Sequence, residues 1–359
     1  MPHFGYYRRI FSAYVLGGKS HLTFWHETPA ENLNATTDEL GQYYMLFAEK
    51  ADYKGAYDAE GIALLDYRGH IGQQYNPIAI AQYGLGNYNL WKQCAESEKT
   101  AGAPSLPRSV RQGWGLAEDR KRKFFLIADW LCSHLEPNAH GLSVWNHHFD
   151  WEYRDTLKAP WYSALAQGQG ISVLLRAHKE RAHLMRADKE RAHKESGDAR
   201  YLDAARRAFA SFQHPIDQGG VAFTDVSGDL WFEEYIVSPP THILNGFIWA
   251  LWGVYDYFLA THNSAAHDLF SRGVRTLLHN LARYDLGFWS LYEQSGTRLP
   301  MVASAFYHRL HIVQLRVMHR LTAEPEFARV ADRWENYTRS RINRTRAFLY
   351  KSAFKLCYY

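Results

Sequence analysis

The chain has 359 residues, 41 Lys or Arg against 37 Asp or Glu, a net charge of +4 and a pI near 8.7. That length can bury a large core, as one large domain or as two smaller ones. The charge is too mild for a dedicated nucleic-acid binder, whereas a modest positive field suits an anionic polymer.

In chain order, the opening residues lack the uninterrupted apolar run of a signal peptide. No segment reaches ~18 consecutive apolar residues, so no membrane span is expected. A soluble, cytoplasmic protein follows as the expectation. Residues 1–60 are mixed and loop-rich and read as an N-terminal arm, with one helix start at Thr37-Asp38. Residues 53–69 read as extended, the apolar IALLDY being bounded by glycines. From Pro77 onward the pattern predicts helices over 78–94, 116–135, 163–176, 204–212, 243–259, 269–281, 310–321 and 327–349. Three of these (78–94, 163–176 and 243–259) are apolar on nearly every side, and they alternate with amphipathic ones. Helices covered on all sides beside helices that show one face to water predict a mainly α protein. The architecture expected is an open (α/α) toroid over 61–350 with the arm packed on it. Gly84 and Gly86 fall inside the first apolar helix, where they read as close packing and not as a dinucleotide fingerprint.

Two segments break the helical rhythm. Residues 219–235 read as a hairpin turning at Val226-Ser227-Gly228, and 284–292 as a second short extended piece. Such hairpins are expected at the end of a toroid where substrates bind. The run 176–195, RAHKERAHLMRADKERAHKE, reads as an exposed, charged extension of the preceding helix. Its histidines, His178, His183 and His193, do not stack on one face and make a poor metal site. The basic stretch 339–355 reads as a solvated last helix.

The chemistry is narrowed by what is missing. There is no P-loop, no HExxH and no GxSxG, and nothing would hold NAD. Cys94, Cys132 and Cys357 are odd in number and lack CxxC spacing, against a disulfide framework or structural zinc. His147 and His148, with Asp150 and Glu152 nearby, sit in an extended aromatic stretch. Adjacent strand residues point to opposite faces, so substrate contact or packing is preferred to a shared metal. The same geometry lets at most one of Glu233 and Glu234 face a groove. A glycosidase, which needs two carboxylates ~5–10 Å apart, would have to recruit Asp225 or Glu293. Most of the 12 Trp and 24 Tyr belong to the core, but those in Gly- and Pro-rich loops are candidates to stack on sugar rings.

The segment LWFEEYIVSPPTHILNGF at 230–247 resembles the C-terminal domain of the D-glucuronyl C5-epimerases, which convert glucuronate to iduronate within a polysaccharide. NPIAIAQYGLGNYN at 76–89, PWYSALAQGQGISVLLR at 160–176 and FYHRLHIVQL at 306–315 agree with it in order. The resemblance implies an (α/α) toroid, an anionic glucuronate-containing polysaccharide as partner, no cofactor or metal, and a homodimer. Epimerisation without a cofactor needs a base on one face of C5, help for the enolate-like intermediate, and a proton donor on the other face. The resemblance assigns this work to Tyr235, Tyr292 and Tyr307. Tyr292 and Tyr307 are taken as the acid–base pair on opposite walls of a groove, with Glu234 and Tyr235 positioning the sugar or sharing the proton. Tyr75, Gln82, Tyr162, Gln167, Gln169, Asn245 and His311 are candidates to bind the sugar hydroxyls and carboxylate. Animal members follow the second tyrosine with an arginine, where this chain has Glu293-Gln294-Ser295. Arg298 or Arg309 is therefore the candidate cation for the uronate carboxylate. A polysaccharide lyase, which shares the carbanion, and a non-catalytic polysaccharide-binding toroid stay open as alternatives.

Overall fold

The computed structural model describes residues 11–12, 27–100, 108–187 and 197–358. Most of them are helical. In chain order the long helices are α1 (Pro77–Thr100), α2 (Arg108–Ser133), α3 (Ala164–Ala187), α4 (Gly197–Phe209), α5 (Leu244–Thr261), α6 (Ser264–Asn280), α7 (Ala305–Thr322), α8 (Pro325–Arg339) and α9 (Arg341–Tyr358). Short antiparallel pairs connect them. A three-stranded sheet joins β1 (Ala56–Tyr57), β2 (Ala63–Asp66) and β3 (Gln73–Gln74). Two-stranded ladders join β4 (Glu136–Pro137) to β5 (Ser143–Val144), β6 (Trp151–Glu152) to β7 (Thr156–Leu157), and β8 (Ala222–Thr224) to β9 (Leu230–Phe232).

Side-chain oxygens set several helix starts. Asn76 accepts from the amides of Ile78 and Ala79, Ser163 from Ala166, Asn263 from Ala266 and Ser304 from Tyr307. Each satisfies an amide that the helix itself leaves unpaired. The helices pack in successive pairs, α1 with α2, α3 with α4, α5 with α6 and α7 with α8. The first members also touch in sequence, α1 on α3, α3 on α5 and α5 on α7. In α1, α3 and α5 nearly every side chain of the central turns is buried, including Ile80, Leu85, Ile171, Leu174, Ile248 and Leu251. Their partners α2, α6 and α8 keep one wet face. Two close approaches tighten this core. A Cβ on Gly253 of α5 would lie 2.3 Å from the Cα of Gly168 on α3. Gly84 meets Ile127 of α2 as helix packing predicts, but Gly86 meets the carbonyl of Phe47, outside any long helix.

Three expectations are corrected. Thr37-Asp38 begins no helix; this stretch bends, and a one-turn helix at Ala48–Ala51 follows instead. The segment expected as one helix over 327–349 is two, because Ser340 is extended and its hydroxyl accepts from the amide of Asn343 to start α9. The extension beyond residue 176 is helical to Ala187, and His193 lies outside the described residues. Its first turns are interior and not exposed. Arg176 and Asp256 form an ion pair of 2.6 Å in which both side chains are fully buried. Arg176 also donates to the carbonyls of Gly41 and Ser172, and Tyr44 donates to Asp256. Glu180 accepts from Tyr88 and Lys92.

The buried pair ties α3, α5 and residues 41–44 together. Asp256→Ala is expected to destabilise the protein by about 3–5 kcal/mol, because it leaves a guanidinium uncompensated in the core. Urea unfolding of the variant checks this, and a midpoint within error of the parent would contradict it.

Candidate functional site

One cavity is lined by Tyr67, Asn76, Ile78, Gln82, Phe149, Trp151, Trp161, Leu165, Glu234, Tyr235, Asn245, Trp249, Phe306 and Tyr307. It lies where the first turns of α1, α3, α5 and α7 meet. Ile78, Leu165, Asn245 and Phe306 are each the second residue of their helix. The partial positive charge of four helix N-termini is thus directed at one space. The opposing wall is aromatic and comes from the 149–161 segment and from Tyr67. Trp161 stacks face to face on His147, with ring centroids 3.8 Å apart, and its indole donates to the carbonyl of Phe149.

The two adjacent glutamates, just past the end of β9, point apart. Glu233 turns away and accepts from His242 through both its amide (3.1 Å) and its Nδ1 (2.6 Å). Glu234 faces the cavity and is 6% exposed. Burial raises its carboxyl to about 8, opposed by its hydrogen bond with Tyr235 and reinforced by the charge of Glu233. Asn245 Nδ2 reaches its Oε2 at 3.4 Å. Space for Glu234 comes from Gly246, where a Cβ would lie 2.2 Å from Oε2.

Tyr307 lines the cavity from the first turn of α7, and Tyr235 from the segment after β9. Tyr292 is buried behind Tyr307, with ring centroids 4.8 Å apart and a hydrogen bond between the side chains. The two stand side by side and do not face each other across the cavity. Burial and the charge of Glu234 hold the phenols of Tyr235, Tyr292 and Tyr307 above the usual tyrosine range. Glu293 is also buried and accepts from Tyr153, which packs on Tyr235 at 4.6 Å. Burial lifts its carboxyl to about 7.

Of the other sequence candidates, Gln82 and Asn245 line the cavity, and Gln82 accepts from the buried Lys50. Tyr75, Tyr162, Gln167, Gln169, Arg298, Arg309 and His311 are not among its lining residues. Tyr75 donates to Asp58 on the surface, and Tyr162 to the carbonyl of Gly219. Gln167 is consumed by structure, accepting from the amide of Trp145 and donating to the carbonyls of Ser143 and Ala208. Gln169 is buried against Tyr43. His311 is fully buried on the Ser290 hydroxyl, and burial holds it neutral. Arg298 is exposed, and Arg309 is half-buried beside Arg344. His147 is buried while His148 is exposed, as adjacent strand residues should be. Among the described residues, no three His, Cys, Asp or Glu side chains gather into a metal-binding group. No described helix is long and apolar enough to cross a membrane. Sequence reasoning did not single out Tyr67, Asn76, Trp151, Trp161 or Trp249. For the two tryptophans of 149–161, the signal was their place in a Pro-containing aromatic loop.

Residues 139–336 match the family described as D-glucuronyl C5-epimerase C-terminus. The chain is 31% identical to the D-glucuronyl C5-epimerase of Caenorhabditis elegans over 61% of its own length, spanning about a third (35%) of the worm protein. It is 27% identical to an uncharacterised protein of Methanocaldococcus jannaschii, over 74% of this chain and 78% of the archaeal one.

Glu234 carries a pH signature. A carboxyl that keeps its proton to about pH 8 when folded, and loses it near 4.5 when unfolded, binds more protons in the native state between those values. Stability should therefore fall as pH rises from about 4.5 to 8, by at most about 1.4 kcal/mol per unit for this group. Glu234→Gln is expected to flatten that decline, read from denaturation midpoints at a series of pH values. An unchanged slope would contradict the burial of an ionisable Glu234.

Proposed function

Because the chain belongs to the D-glucuronyl C5-epimerase family, we propose that this cavity removes and returns the C5 proton of glucuronate residues in an anionic polysaccharide, giving L-iduronate. The observation that carries the reading is the convergence of Glu234, Tyr235 and Tyr307 on one cavity with a largely aromatic wall. On this reading the four helix pairs form an open (α/α) toroid, with 61–350 as the catalytic unit and 1–60 as an arm on it.

The C5–H bond is weakly acidic because it lies alpha to a carboxylate. A base takes the proton, the electron pair moves toward the carboxylate as an enolate, and an acid on the other face returns a proton to C5. We assign the transfers to Tyr307 and to the Glu234–Tyr235 step. Tyr292, one residue behind Tyr307, passes a proton to or from it. This revises the pairing of Tyr292 with Tyr307 as opposed groups, since neighbouring rings cannot serve opposite faces of a sugar. The enolate's charge is met by the N-termini of α1, α5 and α7 and by the side-chain NH2 of Gln82, while Asn245 donates to Glu234. Neither Arg298 nor Arg309 is needed at the cavity for this. The aromatic wall of Phe149, Trp151 and Trp161 supplies faces for the C–H side of sugar rings.

The test is incubation with glucuronate polymers in D2O. Deuterium at C5 with iduronate signals and no unsaturated-uronate absorbance is expected. Tyr307→Phe and Glu234→Gln should each lower exchange by roughly 10²–10⁴-fold while polymer binding is kept. Rising absorbance would make the protein a lyase. Binding without any exchange, insensitive to these substitutions, would leave only a binding role.

A further inference from the structure

The last helix carries a surface that the cavity does not use. From Arg341 to Tyr359 the chain has five Lys or Arg and no Asp or Glu. Its inner face is fixed to the body. Ala347 and Phe354 are buried and Lys351 donates to the carbonyl of Val302 at 2.7 Å, while the exposed Arg346 sits at the rim with its guanidinium 4.3 Å from the ring centre of Phe288. Its outer face is apolar. Ile342, Leu349 and Leu356 are 73%, 60% and 88% exposed. Their spacing of seven sets them on one stripe, and the exposed Ala353 continues it. Arg341 and Arg346, both exposed, border that stripe.

We propose that α9 docks on an anionic phospholipid surface. The stripe Ile342, Leu349 and Leu356 enters the boundary between headgroups and acyl chains, and the bordering cations meet lipid phosphates. An anchored helix with large apolar side chains outward and only positive charge around them has the chemistry of an interfacial helix. A soluble polyanion would engage the cations but give the apolar stripe no partner. A second copy of the chain, paired stripe on stripe about a two-fold axis, would bring the same cations together. This surface is independent of the reaction in the cavity.

The full chain would be co-sedimented with phosphatidylcholine vesicles, with and without phosphatidylglycerol. Binding is expected only with phosphatidylglycerol, and it should weaken as salt shortens the Debye length below ~10 Å. Leu349→Asp with Leu356→Asp should weaken partitioning at least ~tenfold. Arg341→Glu with Arg346→Glu should weaken it independently, which keeps the test decisive if the first pair disturbs folding by circular dichroism. C5 exchange on soluble polymer should be unchanged in both variants. Absence of vesicle binding would overturn the proposal. So would binding indifferent to the apolar pair, or a dimer in sedimentation velocity that this pair dissolves.

Discussion

The structure depends on a strip of α5 that has almost no side chains. Gly246, Ala250 and Gly253 recur at intervals of four and three and therefore share one face. At its C-terminal end, Gly253 and Ala250 let the backbone of α5 touch that of α3 at Gly168, where a Cβ would lie 2.9 Å from the Cα of Ala250. At its N-terminal end, Gly246 leaves the slot that Glu234 fills. One face thus determines both how closely two buried helices approach and where the cavity carboxylate sits. A methyl group at Gly253 would meet backbone, which cannot rotate away, so the strain would pass along α5 to its first turn and to Asn245. The Arg176–Asp256 pair, on the same two helices, holds the far end of this contact.

That slot explains the difference between two neighbouring glutamates. Glu233 is as buried as Glu234, but it accepts two hydrogen bonds from His242, which itself stacks on Trp231 at 4.3 Å. Its role is to hold the turn leading into α5. Glu234 has a long contact from Asn245 and a hydrogen bond with Tyr235, and it lies among aromatic rings, so loss of water dominates and the neutral acid is favoured. A protonated carboxyl beside three phenols makes a set of proton carriers rather than a set of fixed charges. The positive ends of four helices point toward the same space, and an incoming anion would meet them.

The helices were legible because their apolar periodicity is strong. The buried character of 78–94, 163–176 and 243–259 separated them from their half-wet partners. The break at Ser340 was hidden because Ser interrupts a helical pattern no more than other polar residues do, and only the bond to Asn343 reveals a cap. At the site, the EEY step was legible as adjacent carboxylates of which at most one could face a groove, although it lies just past β9 and not within it. Gln167, Tyr162 and His311 were misplaced for a shared reason. Polar side chains in apolar segments look equally like ligands for a substrate and like partners for buried backbone, and here they bind Trp145, Gly219 and Ser290. Tyr67 escaped because it sits just past β2, about 170 residues from the motif, and no local pattern joins them.

Hydrogen-bond direction links the arm to the cavity. Asn76 spends its carbonyl oxygen on the amides that open α1, so its NH2 is left to donate, and it donates to Tyr67 at 2.5 Å. Lys50 has only protons to give, so its bond to Gln82 engages the amide oxygen and leaves the Gln82 NH2 as the group to present. Lys50 is in turn held against Glu27, whose carboxylate accepts its backbone amide at 3.2 Å. The segment before β1 therefore does more than cover hydrophobic surface. It fixes which end of an amide faces the cavity, and the end presented is a donor. With the helix N-termini, that sets a donor and partial positive charge in the same space as the Glu234 carboxyl, with no arginine among the lining residues. Such a wall can receive a uronate carboxylate and still accommodate the extra charge when it becomes an enolate, without holding it as tightly as an ion pair would.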